Sequence, residues 1–274
     1  MSWFTDRHFF LLAVVIYGLS VIYSIFLWRK GFRQDNRNNY FLLLAAFVLH
    51  TTAMIKRGFS LQHCPVNNLY EATTFISWTI VAVYLLVGAW SRLRFLGAFA
   101  SPILFVMGVF GLMPALDPPH GPTPIFGNAW ASLHAALIFL AFGAFGLGSV
   151  AALMYLTQDH DLKFHKLRAI LSRLPPIQRL ELLASRLIAA GLVLLTAGLS
   201  IYPVLSWQNH HVLFQNDPII FWSIFVWLVY FSLLTMHWRG KGGGRRFALG
   251  ALGSFAFILL TFWGFMLLSP MHRS

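Results

Sequence analysis

An all-α polytopic membrane protein of about eight spans is the fold this sequence predicts, on three observations. Charged side chains are 10% of the residues and mean hydropathy is +0.69, where a soluble chain carries about 25% charged residues. The apolar residues fall into runs long enough to cross a hydrocarbon core of about 30 Å as helices. Lys and Arg then collect in alternate connections, the asymmetry that fixes membrane topology.

The runs, with ends good to about three residues, are 8–28, 40–57, 68–90, 95–115, 128–157, 182–206, 218–238 and 247–269. The first is long enough to span and lacks a small-residue cleavage site, so it reads as a retained helix rather than a signal peptide. No aqueous domain and no repeat of fixed period interrupts the series, so residues 1–274 read as one membrane domain. Span five is the longest. Asn128 to Leu156 contains no Asp, Glu, Lys or Arg, and as a helix it runs to about 43 Å, so over two turns stand outside the hydrocarbon.

One set of connections holds Arg29, Lys30, Arg33, Arg37, Arg92, Arg94, Lys163, Lys166, Arg168, Arg173, Arg179, Arg186, Arg239, Lys241, Arg245 and Arg246. The other holds only Arg7, Lys56, Arg57 and Arg273. Cytosolic loops carry the basic excess, so both termini are placed on the outer face of the membrane. This also accounts for the net charge of +12 without nucleic acid as a partner. The single cysteine, Cys64, excludes a disulfide framework and a CxxC pair, and the absence of CxxCH excludes covalent heme of the c type.

The outer connections carry His63, His120, His210 and His211, and His272 lies in the tail. The inner stretch 158–181 interleaves Lys163, Arg168, Arg173 and Arg179 with Leu162, Leu167, Ile170 and Leu171. It reads either as a helix on an anionic leaflet or as a solvated basic connector. His134 is the one side chain within span five that ionises near neutral pH. An imidazole there is costly unless satisfied, and two readings stand: a hydrogen bond within the bundle, or ligation of a metal or heme. Asn68 and Glu71 have the spacing of a capping box at the start of span three, and Glu71 could instead bind a cation or orient a polar group. Gly143, Gly146 and Gly148 predict close helix packing. The Phe and Trp residues read mainly as lipid-facing bulk and interfacial anchors.

PVNNLYEATTFISW (65–78) resembles a segment of the cytochrome c assembly family, the CcsA, CcmC and HemX-type proteins. Four more segments agree in the same order: Trp130 to His134, Leu174 to Leu199, FWSIFVWLVYFSLLTMHWRG with His237, and the C-terminal FWGFMLLSPMHRS with His272. Together they cover about residues 42–272. The family's tryptophan-rich loop is degenerate here: SWQNHHVLFQNDP keeps Trp207 and Asp217, with His210, His211 and Phe214 as partial substitutes for an aromatic shelf.

The resemblance implies heme handling. His134 and His272 map to the family's outer axial pair for heme b, with Trp130 and Trp207 beside it and Glu71 nearby. It associates His237 with heme taken up from the membrane interior. His50 is a weaker partner for His237, since their estimated depths differ by about 15 Å. A hydrogen bond across the bundle is the preferred reading of His50. Imidazole is a common axial ligand of heme iron, and spans five and eight run in opposite directions, so the start of one and the end of the other reach the same face. The function implied is holding and delivering heme to apocytochrome c, with no catalytic residue assigned and a CcsB/ResB-type partner expected. The alternatives are a HemX-like regulator of tetrapyrrole biosynthesis and, ranked last, a small-solute transporter. Pro102 and Pro203 interrupt spans as transporter helices do, but no repeat accompanies them.

Overall fold

A computed structural model describes residues 5–29, 36–61, 69–89, 91–113, 117, 129–163, 176–210, 218–240 and 243–268. The described residues form eight α-helices: α1 Asp6–Arg29, α2 Arg37–Leu61, α3 Leu69–Gly88, α4 Gly97–Gly111, α5 Ala129–Lys163, α6 Ile177–His210, α7 Pro218–Trp238 and α8 Gly244–Leu268. No strand occurs among them. Seven of them, and α4 together with the helical turn before it (Leu93–Gly111), are long and apolar enough to cross a membrane. Helices are the natural outcome, because each satisfies its own backbone donors and acceptors where no water is at hand.

Two groups of helices, α1–α4 and α5–α8, meet along a seam where α3 packs on α5. The α5 helix is apolar on every side and is the most enclosed of the set. Its glycines allow the neighbours in: a Cβ at Gly143 would stand 2.8 Å from the backbone carbon and oxygen of Thr79. Phe139 faces Phe75 one turn away, with ring centroids 4.5 Å apart. On the other side, Phe145 stacks on Tyr230 of α7 at 3.8 Å. The packing role of Gly143, Gly146 and Gly148 is therefore direct: the space of their side chains is taken by Thr79, by Ile80 and Phe255, and by Ile188.

Several elements differ from the sequence reading. The stretch read as a loop at 91–94 is a 3-10 helix, Ser91–Leu96, running into α4. The α5 helix continues to Lys163, making 35 residues and about 52 Å. The α6 helix begins five residues earlier than expected and extends through Trp207 to His210, so Trp207 is helical rather than part of a loop. Between them, residues 164–175 of the basic connector lie outside the described residues. Three tryptophans do more than face lipid. Trp78, Trp222 and Trp227 donate their indole N–H to Thr51, Thr261 and Thr196 on neighbouring helices, at 2.8, 3.0 and 2.8 Å. In a membrane such bonds hold helices together where apolar burial distinguishes poorly between helix and lipid.

Candidate functional site

The N-terminal end of α5 carries His134, half-buried against α6. Its Nδ1 lies 2.8 Å from the backbone oxygen of Gly198. A carbonyl only accepts, so Nδ1 carries the proton and Nε2 keeps its lone pair. Gly198 makes this reach feasible, because α5 and α6 approach until Ile138 fills the place of the missing side chain. The same antiparallel stagger sets Trp130, one turn before His134, level with Tyr202, whose ring centre is 6.4 Å from the imidazole. Trp130 and Trp207 are both exposed at this end. An imidazole fixed through one nitrogen to a carbonyl, with the other nitrogen making no hydrogen bond to a described residue, has the usual arrangement of a metal-ligating histidine. The residues present thus fit one axial ligand of a heme. The second member of the predicted pair, His272, lies outside the described residues, as do His63, Cys64, Asn68, His120, His211, Phe214 and Asp217. Nothing is described of the His210 side chain.

At the same end of the bundle stands an ionic cluster that the sequence did not reveal. The Arg57 side chain, 8% exposed, donates through Nε to Glu71 Oε1 at 2.7 Å, through Nη1 to Asp6 Oδ2 at 3.0 Å and through Nη2 to Asp117 Oδ1 at 2.6 Å. Tyr70 lies beneath its guanidinium at 4.7 Å, and Arg7 approaches the same ring at 5.2 Å. One sequence reading is corrected here: Arg57, counted among the loop cations, is a buried member of the bundle. Glu71, fully buried, pairs with that guanidinium. A carboxylate this deep is tolerable only with such a partner. The capping arrangement with Asn68 lies partly outside the described residues.

His50 is fully enclosed among α1, α2 and α3. Its Nδ1 meets Tyr17 Oη at 3.2 Å, and Phe10 packs on the ring at 4.9 Å. The bond across the bundle is thus present. Among the described residues Nε2 meets no hydrogen bond of normal geometry, although the Thr74 backbone lies within reach. His237 is elsewhere, at the end of α7, stacked on Phe247 at 4.2 Å with Nδ1 3.8 Å from Glu181 Oε1, beyond hydrogen-bond range. The structure does not bring His50 and His237 together, because one belongs to the α1–α4 group and the other to α5–α8. No group of three or more His, Cys, Asp or Glu among the described residues has the geometry of a metal site.

Fold and site together define a multi-pass, all-helical membrane protein whose central helix presents an oriented imidazole at one end. Its family follows from its sequence: the chain belongs to the cytochrome c assembly protein family, whose model matches residues 66–272. It is 25% identical to the cytochrome c biogenesis protein CcsA of Trieres chinensis, across 89% of this chain and 87% of that one. It is 26% identical to protein HemX of Brevibacillus brevis, across 93% of both, and 26% identical to CcsA of Prochlorococcus marinus (strain NATL1A), across 91% and 88%. Cytochrome c biogenesis is therefore the general field of its function.

Proposed function

We propose that this protein holds heme b at the outer face of a bacterial cytoplasmic membrane and assists its delivery to apocytochrome c. His134 and His272 are the axial ligands, and Trp130 and Trp207 flank the porphyrin. Heme is the cargo, and a CcsB/ResB-type subunit is its partner in delivery. The observation carrying the reading is the His134 to Gly198 bond. It fixes ring orientation and tautomer and leaves Nε2 for iron. Two imidazoles on one iron stabilise the low-spin complex and hold the cargo until a recipient competes for it.

The test is the absorption spectrum of the purified protein after heme supply. A bis-imidazole spectrum is expected in the wild type, lost in His134→Ala and in His272→Ala, and restored by added imidazole. A colourless wild type, or an unchanged spectrum in both variants, overturns the proposal.

A second reading, a HemX-like regulator of tetrapyrrole biosynthesis, is favoured by the match to HemX over 93% of both lengths and by the reduced tryptophan loop. It predicts a cytosolic partner captured by the wild type and lost when the basic residues of 158–181 are neutralised, with the heme spectrum intact.

A further inference from the structure

We propose that the α1–α4 group carries a second activity: a row of buried polar side chains between α1 and α2 passes protons across the membrane. The row has three levels, each joined by a hydrogen bond between the two helices. At the outer end Arg57 Nη1 donates to Asp6 Oδ2 at 3.0 Å. Midway, Tyr17 Oη meets His50 Nδ1 at 3.2 Å. At the inner end Ser20 Oγ donates to Asn39 Oδ1 at 2.7 Å and lies 2.7 Å from Ser101 Oγ of α4. Ser24 Oγ stands 3.4 Å from the same Ser101 oxygen. All of these except Asp6 are buried. Asp6 to Ser24 on α1, and Arg57 to Asn39 on α2, each cover about 27 Å at helical rise, close to the whole hydrocarbon thickness of about 30 Å.

Helix adhesion alone does not account for this row. Adhesion is best served when every buried donor and acceptor is answered. Here His50 Nε2 and Asn39 Nδ2, one at each of the two deeper levels, make no hydrogen bond of normal geometry among the described residues. Such atoms are where buried waters sit, each bridging several polar groups. The levels stand about 10–14 Å apart along the helices, a separation that a file of about four waters spans. The other half of the molecule packs without any such row: α5 from Phe139 to Met154 carries one polar side chain, Ser149. Ionisable groups kept inside a membrane mark ion and proton paths.

The middle level offers one imidazole and one phenol. These are too few ligands to hold a metal ion, but both exchange protons. A proton taken up at His50 Nε2 and one released from Nδ1 to Tyr17 Oη, whose own hydroxyl proton moves on inward, carry one charge past this level. Rotation of the ring restores the starting tautomer. The hydroxyls of Ser20, Ser101 and Ser24 continue the chain toward the inner face, where Asn39 lies in the first turn of α2. The Asp6 side chain, 20% exposed, opens the row at the outer face. Between the outer and middle levels stands Phe10, its ring 4.9 Å from His50 and 5.7 Å from Tyr70. It interrupts the row and makes passage slow. The titratable groups nearest His50 are Tyr17 on α1, Tyr70 and Glu71 on α3 and Arg57 on its own helix; α4 contributes none from Gly97 to Gly111.

The test uses the full-length protein in phosphatidylcholine vesicles enclosing a pH-sensitive dye, with potassium and valinomycin setting the membrane potential. Wild-type protein is expected to change the internal pH faster than protein-free vesicles do. His50→Phe should return the rate to that of protein-free vesicles. Tyr17→Phe, which keeps the ring and removes the hydroxyl, should slow the protein-dependent rate roughly tenfold, and Phe10→Ala should raise it roughly tenfold, the scale of one modest barrier added or removed. Ser149→Ala, outside the row, should leave it unchanged.

Size-exclusion and circular dichroism confirm folding, and if His50→Phe does not fold, Tyr17→Phe decides. A wild-type rate no greater than that of protein-free vesicles overturns the proposal, and so does an undiminished rate in folded His50→Phe or Tyr17→Phe. No heme enters the assay, so its outcome stands apart from that of the His134 reading.

Discussion

Replacing Gly198 by valine tests how the α5–α6 contact prepares His134. A Cβ at position 198 would stand 2.8 Å from Cδ1 and 3.1 Å from Cγ1 of Ile138, where ordinary contact begins at 3.4 Å. The deficit is about 0.6 Å, which the packing must absorb by rotating Ile138 or by parting the helices. Cδ1 is the far end of a flexible side chain, so alanine is accommodated by rotation, and its better helix propensity, about 1 kcal/mol over glycine, offsets the remaining crowding. Valine adds two methyls at the crowded point and leaves parting as the main relief. The His134 Nδ1 to Gly198 oxygen distance of 2.8 Å then stretches toward about 3.4 Å, where little hydrogen bonding remains. One lost bond of this kind is worth about 1–1.5 kcal/mol, roughly tenfold in affinity. The assay is titration of the purified protein with heme, followed by absorbance. Gly198→Ala should bind like the wild type, Gly198→Val about tenfold more weakly, and Gly198→Val with Ile138→Ala within about threefold of the wild type. Wild-type affinity in folded Gly198→Val refutes the argument that the Gly198 carbonyl orients the ligand.

Gly143→Val should destabilise the seam between α3 and α5 by about 1–3 kcal/mol, because the opposing atoms are Thr79 backbone and cannot rotate aside; a midpoint of denaturation equal to the wild type in mixed detergent contradicts the close packing. Thr261→Val should cost about 0.6 kcal/mol through loss of the Trp222 bond, and Trp222→Phe should add little to it; full additivity in a double-mutant cycle means that the bond contributes nothing. His50→Phe should fold with a loss of about 1–2 kcal/mol, since Tyr17 Oη is left buried without its partner, and should keep the heme spectrum intact. Loss of that spectrum places His50 in the heme path and reverses the present separation of the two groups.

How much of this was legible depended on the range of the interaction. The eight spans were readable because each needs only its own composition, and α5 stood out because its charge-free run exceeds a bilayer. His134 was readable for the same reason, as the lone histidine in a run without Asp, Glu, Lys or Arg; its bond to Gly198 was not, since the stagger of α5 on α6 is set by packing. The Arg57–Glu71 pair occupies the middle ground. Opposite charges sit near the facing ends of two consecutive antiparallel helices, joined by the short stretch 62–68. They stand at nearly equal distances from that connection, which was enough to suggest a pair. The capping spacing of Asn68 and Glu71 offered a local explanation instead, and the local explanation displaced the tertiary one. Asp6 and Asp117 had no comparable signal, because they reach Arg57 only after α1 and α4 have packed on α2. A membrane sequence thus declares its spans through composition, and its buried charges through the requirement that each be answered. An arginine inside one span and a carboxylate inside the next should be matched by depth before either is assigned to topology or to a helix end.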